Sequence, residues 1–261
     1  MNGVLARHGI RWSDNKPCGV RRHPAVRQVR RWLTVAGVAM LAAAMEVACT
    51  FAPGRAVQAP LVPGAAPAAD SANAQAIEER AAAIRLAAQR SDHESDSKVR
   101  ADLATEATSN ADACLALDPG AAACQYGKAV ATGLEARVHP ASAVGLLGSM
   151  LQNLGNAEAA DPNYDKAGPA RVRALVLIRA PGWPLGPGDT DAGLAAARRA
   201  VALQPDYPPN VLALAEALSK TGNEKDAREN YSHARELAQS GPSGPERDDW
   251  LHEAEEGLRR R

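Results

Sequence analysis

The sequence predicts an all-α protein, built as an array of antiparallel helical hairpins with about nine helices. Composition is the first observation: of 261 residues, 46% are hydrophobic and only 3% aromatic, and alanine dominates the apolar residues. Alanine and leucine favour helices, and small side chains let helices approach closely. The second observation is a set of prolines that recur at a fixed spacing.

These prolines are Pro119, Pro162 and Pro205, each 43 residues after the previous one. Each follows an Ala-rich amphipathic stretch, as in "CLALDPG", "EAADPNYD" and "AVALQPDYP". Because a proline just past a helix cannot continue it, each proline ends one helix and opens the next connection. A fixed period of this size indicates helical pairs that bury their apolar faces by stacking on their neighbours.

Apolar periodicity and turn residues together divide the array into individual helices. The predicted helices lie near 71–91, 95–117, 121–137, 141–160, 167–180, 189–203, 209–221, 224–239 and 245–260. Short connections between them favour antiparallel neighbours.

Residues 210–239 fit the tetratricopeptide pattern closely. Gly222 supplies the turn between two helices, because glycine permits backbone conformations that other residues resist. Small and apolar side chains occupy the positions at which such helices contact each other. These positions are Leu214, Ala215 and Leu218 on the first helix and Ala227, Tyr231 and Ala234 on the second. The segment therefore predicts a tetratricopeptide-like hairpin.

Before the array, the chain has the order of segments seen in exported proteins. A basic stretch, "VRRHPAVRQVRR", precedes an apolar run over 32–45, and a Pro/Ala/Gly-rich segment follows. The run is shorter than the roughly 20 residues of a membrane-spanning helix. We predict a signal peptide over 1–48, a flexible tether over 49–70 and the repeat domain over 71–261. A buried helix of the folded body and a retained signal anchor are the alternatives for the apolar run.

Cys49 lies where a lipoprotein signal peptide places its lipidated cysteine. Val47 and Ala48 suit the positions before it, whereas Glu46 stands where an apolar residue is usual. Lipidation of Cys49 and ordinary cleavage nearby, which would release a periplasmic protein, both remain open. Either way the sequence predicts an exported protein that is periplasmic or held at a membrane by a lipid anchor.

The net charge of zero hides an asymmetry along the chain. Residues 1–49 hold eight Lys and Arg residues but two acidic ones, so the remainder carries a net charge of −6. Nucleic-acid binding needs a basic footprint, which the body of the chain lacks. We therefore expect no nucleic-acid partner.

The four cysteines suggest one disulfide. Signal cleavage would discard Cys18 and lipidation would occupy Cys49, which leaves Cys114 and Cys124. These two lie five residues before and five residues after Pro119. In an antiparallel hairpin that turns near Pro119, equal distances from the turn place two residues opposite each other, within reach of a disulfide. Two small buried thiols are the alternative.

The Pro/Gly-rich stretch "IRAPGWPLGPGDTDAG" (178–193) separates two predicted helices. A phosphate-binding loop would need Lys-Ser or Lys-Thr after its second glycine, and neither follows Gly188. We interpret the stretch as a connector in which Asp189 or Thr190 caps the next helix. Trp183 is predicted to pack over the hairpin; lining a groove for a partner or ligand is the alternative.

Catalytic and metal-binding patterns are missing from the sequence. "HEAEE" (252–256) offers one histidine, which is too few for a zinc motif of the HExxH type, and no GxSxG occurs. Carboxylates alternate with Arg and Lys along the helices, which is typical of a solvated face. We therefore predict no enzyme activity, no cofactor and no metal.

Residues 96–240 as a whole resemble a known family. The chain is similar to the TatT-like lipoproteins, the T components associated with tripartite ATP-independent periplasmic (TRAP) transporters. The resemblance rests on Asp161, Pro162, Tyr164, Gly168, Arg171, Pro181, Trp183, Pro184, Gly188, Asp189, Pro205, Tyr207 and Asn210. It implies modified tetratricopeptide-like hairpins, and a role in docking a periplasmic solute-binding protein around a hydrophobic pore.

The leading hypothesis is a helical-repeat protein that binds other proteins, and a ligand-binding accessory component of a TRAP-type transporter is the alternative. An enclosed apolar pocket would favour the transporter component, whereas an open groove lined by polar residues such as Glu216 and Lys220 would favour the scaffold. A cluster of buried titratable residues would favour an enzyme. The binding candidates are Arg171, Trp183, Asp189, Tyr207, Asn210, Glu216 and Lys220.

Overall fold

The computed structural model of the chain describes residues 66–260, with side chains from residue 71. The predicted signal peptide, Cys49 and the tether up to residue 65 lie outside these residues. Within them the secondary structure comprises nine α-helices and a short 3-10 turn over Pro140–Ser142. The helices are α1 (Ala66–His93), α2 (Ser97–Leu117), α3 (Ala122–Val138), α4 (Ala143–Ala160), α5 (Tyr164–Arg179), α6 (Thr190–Leu203), α7 (Pro208–Lys220), α8 (Glu224–Ser240) and α9 (Pro245–Arg259).

The prediction of an all-α array is confirmed for these residues, and each predicted helix is present. The largest difference is at α1, which begins at Ala66 rather than at 71, so the last five residues of the predicted tether are helical. Pro67 does not prevent this, because proline is tolerated in the first turn of a helix, where its missing N–H has no intrahelical partner.

Each helix packs against the next one along the chain, which makes a series of antiparallel hairpins. The odd-numbered helices also pack against one another in order, from α1 to α9. Among the described helices, the even-numbered ones make no such contacts with each other. The odd-numbered helices therefore form one layer of the array and the even-numbered helices form a second layer.

The three periodic prolines end α2, α4 and α6, as predicted. The residue before each proline caps its helix in an extended conformation, with φ of −152° at Asp118, −150° at Asp161 and −142° at Gln204. This is expected because the proline ring disfavours the helical conformation for the preceding residue. The spacing of 43 residues is therefore the length of one hairpin with its connection.

The core consists of two main apolar clusters that meet at α5. One joins α1 to α4 with the first half of α5, and the other joins α5 to α9. Fully buried alanines such as Ala107, Ala129 and Ala215 lie in these clusters. Because alanine adds only a methyl group, it lets helices approach closely, which explains how a core can form with so few aromatic residues.

The α7–α8 hairpin has the predicted tetratricopeptide-like arrangement. Gly222 has a φ of +80° in the turn, a conformation that glycine adopts without steric cost. Ala227, Tyr231 and Ala234 are buried on α8, and Ala215 is buried on α7. The small residues that recur along 210–239 therefore lie where α7 and α8 contact each other closely.

A disulfide joins Cys114 near the end of α2 to Cys124 near the start of α3. The two Cα atoms are 5.2 Å apart, and both side chains are fully buried. The bond closes a loop around the connection that contains Pro119. It links two hairpins of the array covalently at the point where the chain passes from one layer to the other.

The stretch 180–189 connects α5 to α6. It is held in place by hydrogen bonds between backbone groups of the loop and of the end of α5. Gly188 N–H donates to the carbonyl of Pro181 (2.9 Å), and Asp189 N–H donates to the carbonyl of Leu177 (2.9 Å). A Cβ at Gly188 would lie 2.1 Å from the carbonyl oxygen of Ala180, so only glycine fits this close approach. The Asp189 side chain caps α6 by accepting from Ala192 N–H, as the sequence suggested.

The prediction that Trp183 packs over the hairpin is wrong. Its side chain is 90% exposed, and that of Leu185, two residues later, is 72% exposed. The reason is local: the close contacts among Pro181, Gly186 and Gly188 fold the loop on itself, and the tip then points away from the helices.

Candidate functional site

A cleft of about 1280 Å³ lies among the described residues. It lies between the end of α1 on one side and the start of α9 on the other. The first turn of α5, the start of α7 and the α8–α9 connection complete its lining. A hydrogen bond from Gln89 on α1 to Glu246 on α9 (3.4 Å) joins the two sides.

The cleft is lined by both charged and apolar side chains. Its basic side chains are Arg90, Lys166 and Arg247, its acidic ones include Asp206, Glu246 and Asp249, and its apolar ones include Tyr207, Leu237 and Trp250. A lining of this kind differs from an enclosed apolar ligand pocket. It resembles the mixed surface of a protein interface, in which aromatic anchors stand among polar groups.

Two aromatic rings form one wall of the cleft. Tyr207, just before α7, packs edge to face against Trp250 of α9, with ring centroids 5.7 Å apart. The ammonium group of Lys166 stands over the Tyr207 ring, 4.8 Å from its centroid. Burial raises the pKa of Tyr207, so its hydroxyl stays protonated and able to donate a hydrogen bond. Aromatic and cationic side chains in contact are frequent binding anchors.

Lys166 reaches the cleft because the first turn of α5 is left-handed. Asp165, Lys166 and Ala167 have φ of 48°, 53° and 62°. None of them is glycine, and each residue in this conformation costs about 1–2 kcal/mol. Right-handed helix follows from Gly168, one residue after the predicted start at 167. The turn is therefore strained, and surrounding groups have to stabilise it.

Arg171 and Asn210 stabilise the left-handed turn through hydrogen bonds to its residues. The Arg171 guanidinium donates to the Lys166 carbonyl (3.1 Å), to the Asp165 carboxylate (3.0 Å) and to the Asn210 side chain (2.9 Å). The Asn210 amide donates to the same Lys166 carbonyl (3.2 Å). It also donates to carbonyls at the end of α6, those of Ala200 (3.2 Å) and Gln204 (3.0 Å). The network thus ties the turn to α6 and α7.

Asp165 is also held by a residue from the first half of the array. The hydroxyl of Tyr126, on α3, donates to its carboxylate (2.9 Å). Gly168 leaves space for this contact, because a Cβ there would lie 2.9 Å from the Tyr126 oxygen. The floor of the cleft therefore joins α3, α5, α6 and α7 in one hydrogen-bonded group.

The structure distributes the predicted binding candidates over different places. Arg171 and Asn210 are buried under the floor, with 2% and 0% exposure, so they support the cleft and are not open to a partner. Tyr207 lines the cleft. Asp189 caps α6, and Trp183 stands at the exposed loop tip.

The remaining two candidates, Glu216 and Lys220, do not line the cleft. Glu216 lies inside the array, where it pairs with Arg179 of α5. Lys220 is exposed at the end of α7. Glu216 is therefore not placed to line an open groove with Lys220, because the face of α7 that carries it packs against α5 and α9.

Sequence reasoning did not identify Asp165, Lys166 or Trp250 as part of a site. Lys166 depends on three positive φ angles at residues that rarely adopt them, and no sequence pattern signals this. Gly168-Pro169 does mark the start of the right-handed helix. Trp250 is preceded by acidic residues and could have been recognised as an aromatic residue on an otherwise polar helix start.

A second buried group of charges holds α9 against α5 and α7. The Arg179 guanidinium pairs with Glu216 and lies 3.9 Å from Glu253 of α9. Burial acts to raise the pKa of Glu216, but the Arg179 charge outweighs it and holds that pKa below its usual value. Burial and the nearby Glu216 charge raise the pKa of Glu253 to about 7, against the attraction of Arg179. The Arg179 guanidinium therefore interacts with the carboxylates of both Glu216 and Glu253.

We expect Glu253→Gln to stabilise the protein at pH 8 by about 1–3 kcal/mol and to change it little at pH 5. With a folded-state pKa of about 7, Glu253 binds its proton more tightly when folded than when unfolded. Its contribution to stability is therefore present at low pH and is lost as the pH rises through 7. Chemical denaturation at the two pH values measures the effect.

Glu255→Gln is the matched control, because Glu255 lies on the exposed side of the same helix. It should change stability little at either pH. An equal effect of Glu253→Gln at pH 5 and pH 8 would contradict the shifted pKa of Glu253.

The other buried ions are also paired. Asp92 of α1 pairs with Arg137 of α3 (2.7 Å), and Asp165 pairs with Arg171. Among the described residues, no group of three or more His, Cys, Asp or Glu side chains is placed to hold a metal ion. In the same part of the chain, no helix is long and apolar enough to cross a bilayer. The buried ion pairs named above join residues of different helices or of different parts of one helix, which is a structural role.

The fold is similar to that of a solved structure. No family model matches the chain, and no curated protein matches it either. The crystal structure of a thermophilic TPR protein from Thermus thermophilus is similar over 73% of this chain and 97% of its own length, with 22% sequence identity and a TM-score of 0.49.

The chain's own architecture defines its class. Its described residues form a tetratricopeptide-like helical-repeat protein, because antiparallel hairpins stack in order and meet through small residues. Its site is a cleft with an aromatic wall and a strained turn in the floor.

Proposed function

We propose that this chain is a non-catalytic, exported helical-repeat protein whose cleft binds a segment of a protein partner. The observation that carries the proposal is the cleft itself. Its volume of about 1280 Å³ exceeds the roughly 300–1,000 Å³ usual for small-molecule sites. Its lining of aromatic rings among charges of both signs suits an extended polypeptide, which offers apolar, acidic and basic groups together.

Export rests on the order of segments before the array. The basic stretch, the apolar run over 32–45 and the Pro/Ala-rich tether are those of a secreted chain, and a disulfide between Cys114 and Cys124 suits an oxidising compartment. We infer a periplasmic protein, attached to a membrane through a lipid at Cys49 where that residue is acylated. The two cysteines of the repeat domain would then be paired for the whole life of the protein.

The resemblance to TatT-like lipoproteins supports a narrower version of the proposal. In that version the partner is a periplasmic solute-binding protein of a TRAP-type transporter. The alternative role, a component that itself holds the transported ligand, would need an apolar cavity between the helices. The cleft instead carries charged side chains such as Arg90 and Glu246, so we favour binding of a protein segment.

Reversing the accessible basic charges of the cleft should weaken peptide binding about tenfold or more. Arg90 at the end of α1 and Lys166 in the first turn of α5 are both exposed, so Arg90→Glu combined with Lys166→Glu changes the cleft without removing a buried contact. Short random peptides displayed on phage are selected on the natural protein, and their dissociation constants are then measured by fluorescence polarisation.

Lys225→Glu is the control for these measurements. Its side chain is 87% exposed on α8 and lies outside the cleft, so the selected peptides should bind this variant as they bind the natural protein. Peptides that bind the double variant and the control equally well would show that they do not use the cleft, and the proposal would fail.

A further inference from the structure

The tip of the α5–α6 loop presents two large apolar side chains that no described residue covers. Five large hydrophobic side chains are exposed in the described part of the chain, and Trp183 and Leu185 are the most exposed of them. A third, Val144, stands at the start of α4. Because α4 and α5 are antiparallel, the start of α4 lies at the same edge of the array as the end of α5 and this loop.

The loop is held rigidly and is free of charge. Residues 180–188 contain no Asp, Glu, Lys or Arg. The N–H groups of Leu185 and Gly186 both donate to the Gly182 carbonyl (3.0 and 3.2 Å), and that of Gly188 donates to Pro181. The tip can therefore enter an apolar medium without leaving these donors unpaired, which is the main cost of placing a loop in lipid.

We propose that this tip contacts the lipid bilayer, with Trp183 and Leu185 entering the interface between headgroups and acyl chains. A tryptophan suits this depth, because its ring is apolar and its indole N–H can bond to water or headgroups. The Trp183 and Leu185 side chains are largely exposed, so a fluid surface can accept them without a matching pocket. Its lack of charge means that the contact does not depend on anionic lipid.

The chain that precedes the array keeps this contact within reach. The start of α1 at Ala66 lies 17 positions after Cys49, which corresponds to at most about 60 Å when the chain is fully extended. This step rests on the membrane attachment proposed above. The contact of the tip with lipid is measured separately from that attachment, through the tryptophan itself.

Fluorescence of a single tryptophan in the full chain tests the proposal. The chain has four tryptophans, so Trp12→Phe, Trp32→Phe and Trp250→Phe together leave only Trp183. Vesicles of phosphatidylcholine should shift its emission to shorter wavelength, and brominated acyl chains should quench it. Vesicles with added phosphatidylglycerol should give the same result. Leu185→Asp should abolish both effects, because a charge at the tip opposes entry into lipid.

A second chain that retains only Trp250 is the control, since this residue lies in the cleft and should not be quenched. Flotation of the vesicles shows in each case that the protein is bound. Unchanged Trp183 emission on vesicles that carry bound protein would overturn the proposal. Emission that shifts with protein concentration in the absence of vesicles would also overturn it, since a second copy of the chain would then cover the tip.

Discussion

Replacing Arg171 by methionine should lower the free energy of unfolding by about 3–5 kcal/mol. Its guanidinium is 2% exposed and bonds to Asp165, Lys166 and Asn210. The substitution removes the cation beside the partly buried Asp165 carboxylate and the donor to the side-chain oxygen of the buried Asn210. Methionine fills much of the volume but donates no hydrogen bond. It also removes the group that holds three residues in a left-handed conformation.

Urea denaturation measures this effect, and Arg198→Met is the matched control. Arg198 is exposed on α6, so its replacement should change stability by less than about 0.5 kcal/mol. A loss for Arg171→Met as small as that of the control would show that the left-handed turn does not depend on this network. Peptide binding in the cleft should fall along with stability, because the turn places Lys166.

Removing the disulfide should cost about 2–3 kcal/mol. Cys114 and Cys124 are separated by ten residues, and cross-linking them limits the conformations of the unfolded chain. Replacing both by alanine keeps small apolar groups at two fully buried positions, so the loss should come from the missing bond and a small cavity.

Thermal and chemical denaturation with and without dithiothreitol separate these contributions. The natural protein should approach the stability of the double variant when it is reduced, while the double variant should not respond to the reductant. Thiol titration under denaturing, non-reducing conditions checks the premise. Two reactive thiols at Cys114 and Cys124 in the natural protein would contradict the paired state.

Much of the fold could be predicted because its signals are local. Prolines at 119, 162 and 205 end three helices whatever surrounds them, since proline cannot continue a helix and restricts the residue before it. The alanines and Tyr231 in 210–239 predicted the α7–α8 contact because helical periodicity places them on one face. The same local reasoning predicted that Asp189 or Thr190 caps α6, and the structure shows that Asp189 does.

The site was much less predictable, and Trp183 and Arg171 show why. Both residues belong to the set that carries the family resemblance, and nothing in the sequence distinguishes their roles. In the structure, however, Trp183 is 90% exposed and Arg171 is buried. The position of Arg171 depends on a contact with Asn210, far along the chain, whereas the exposure of Trp183 follows from the way its own loop folds on itself. Lys166 enters the cleft only because the contacts of Arg171 and Asn210 stabilise a turn that its own residue type disfavours.

The sequence by itself determined the helices, their order and the length of the repeat, because proline, glycine and alanine act through the backbone and through close neighbours. Only the tertiary structure decided which side chains form the cleft, which support it and which stand exposed at the loop tip. Burial and hydrogen bonding between helices fix those roles, and both depend on how the hairpins stack, as the pairing of Glu216 with Arg179 and the shifted pKa of Glu253 illustrate.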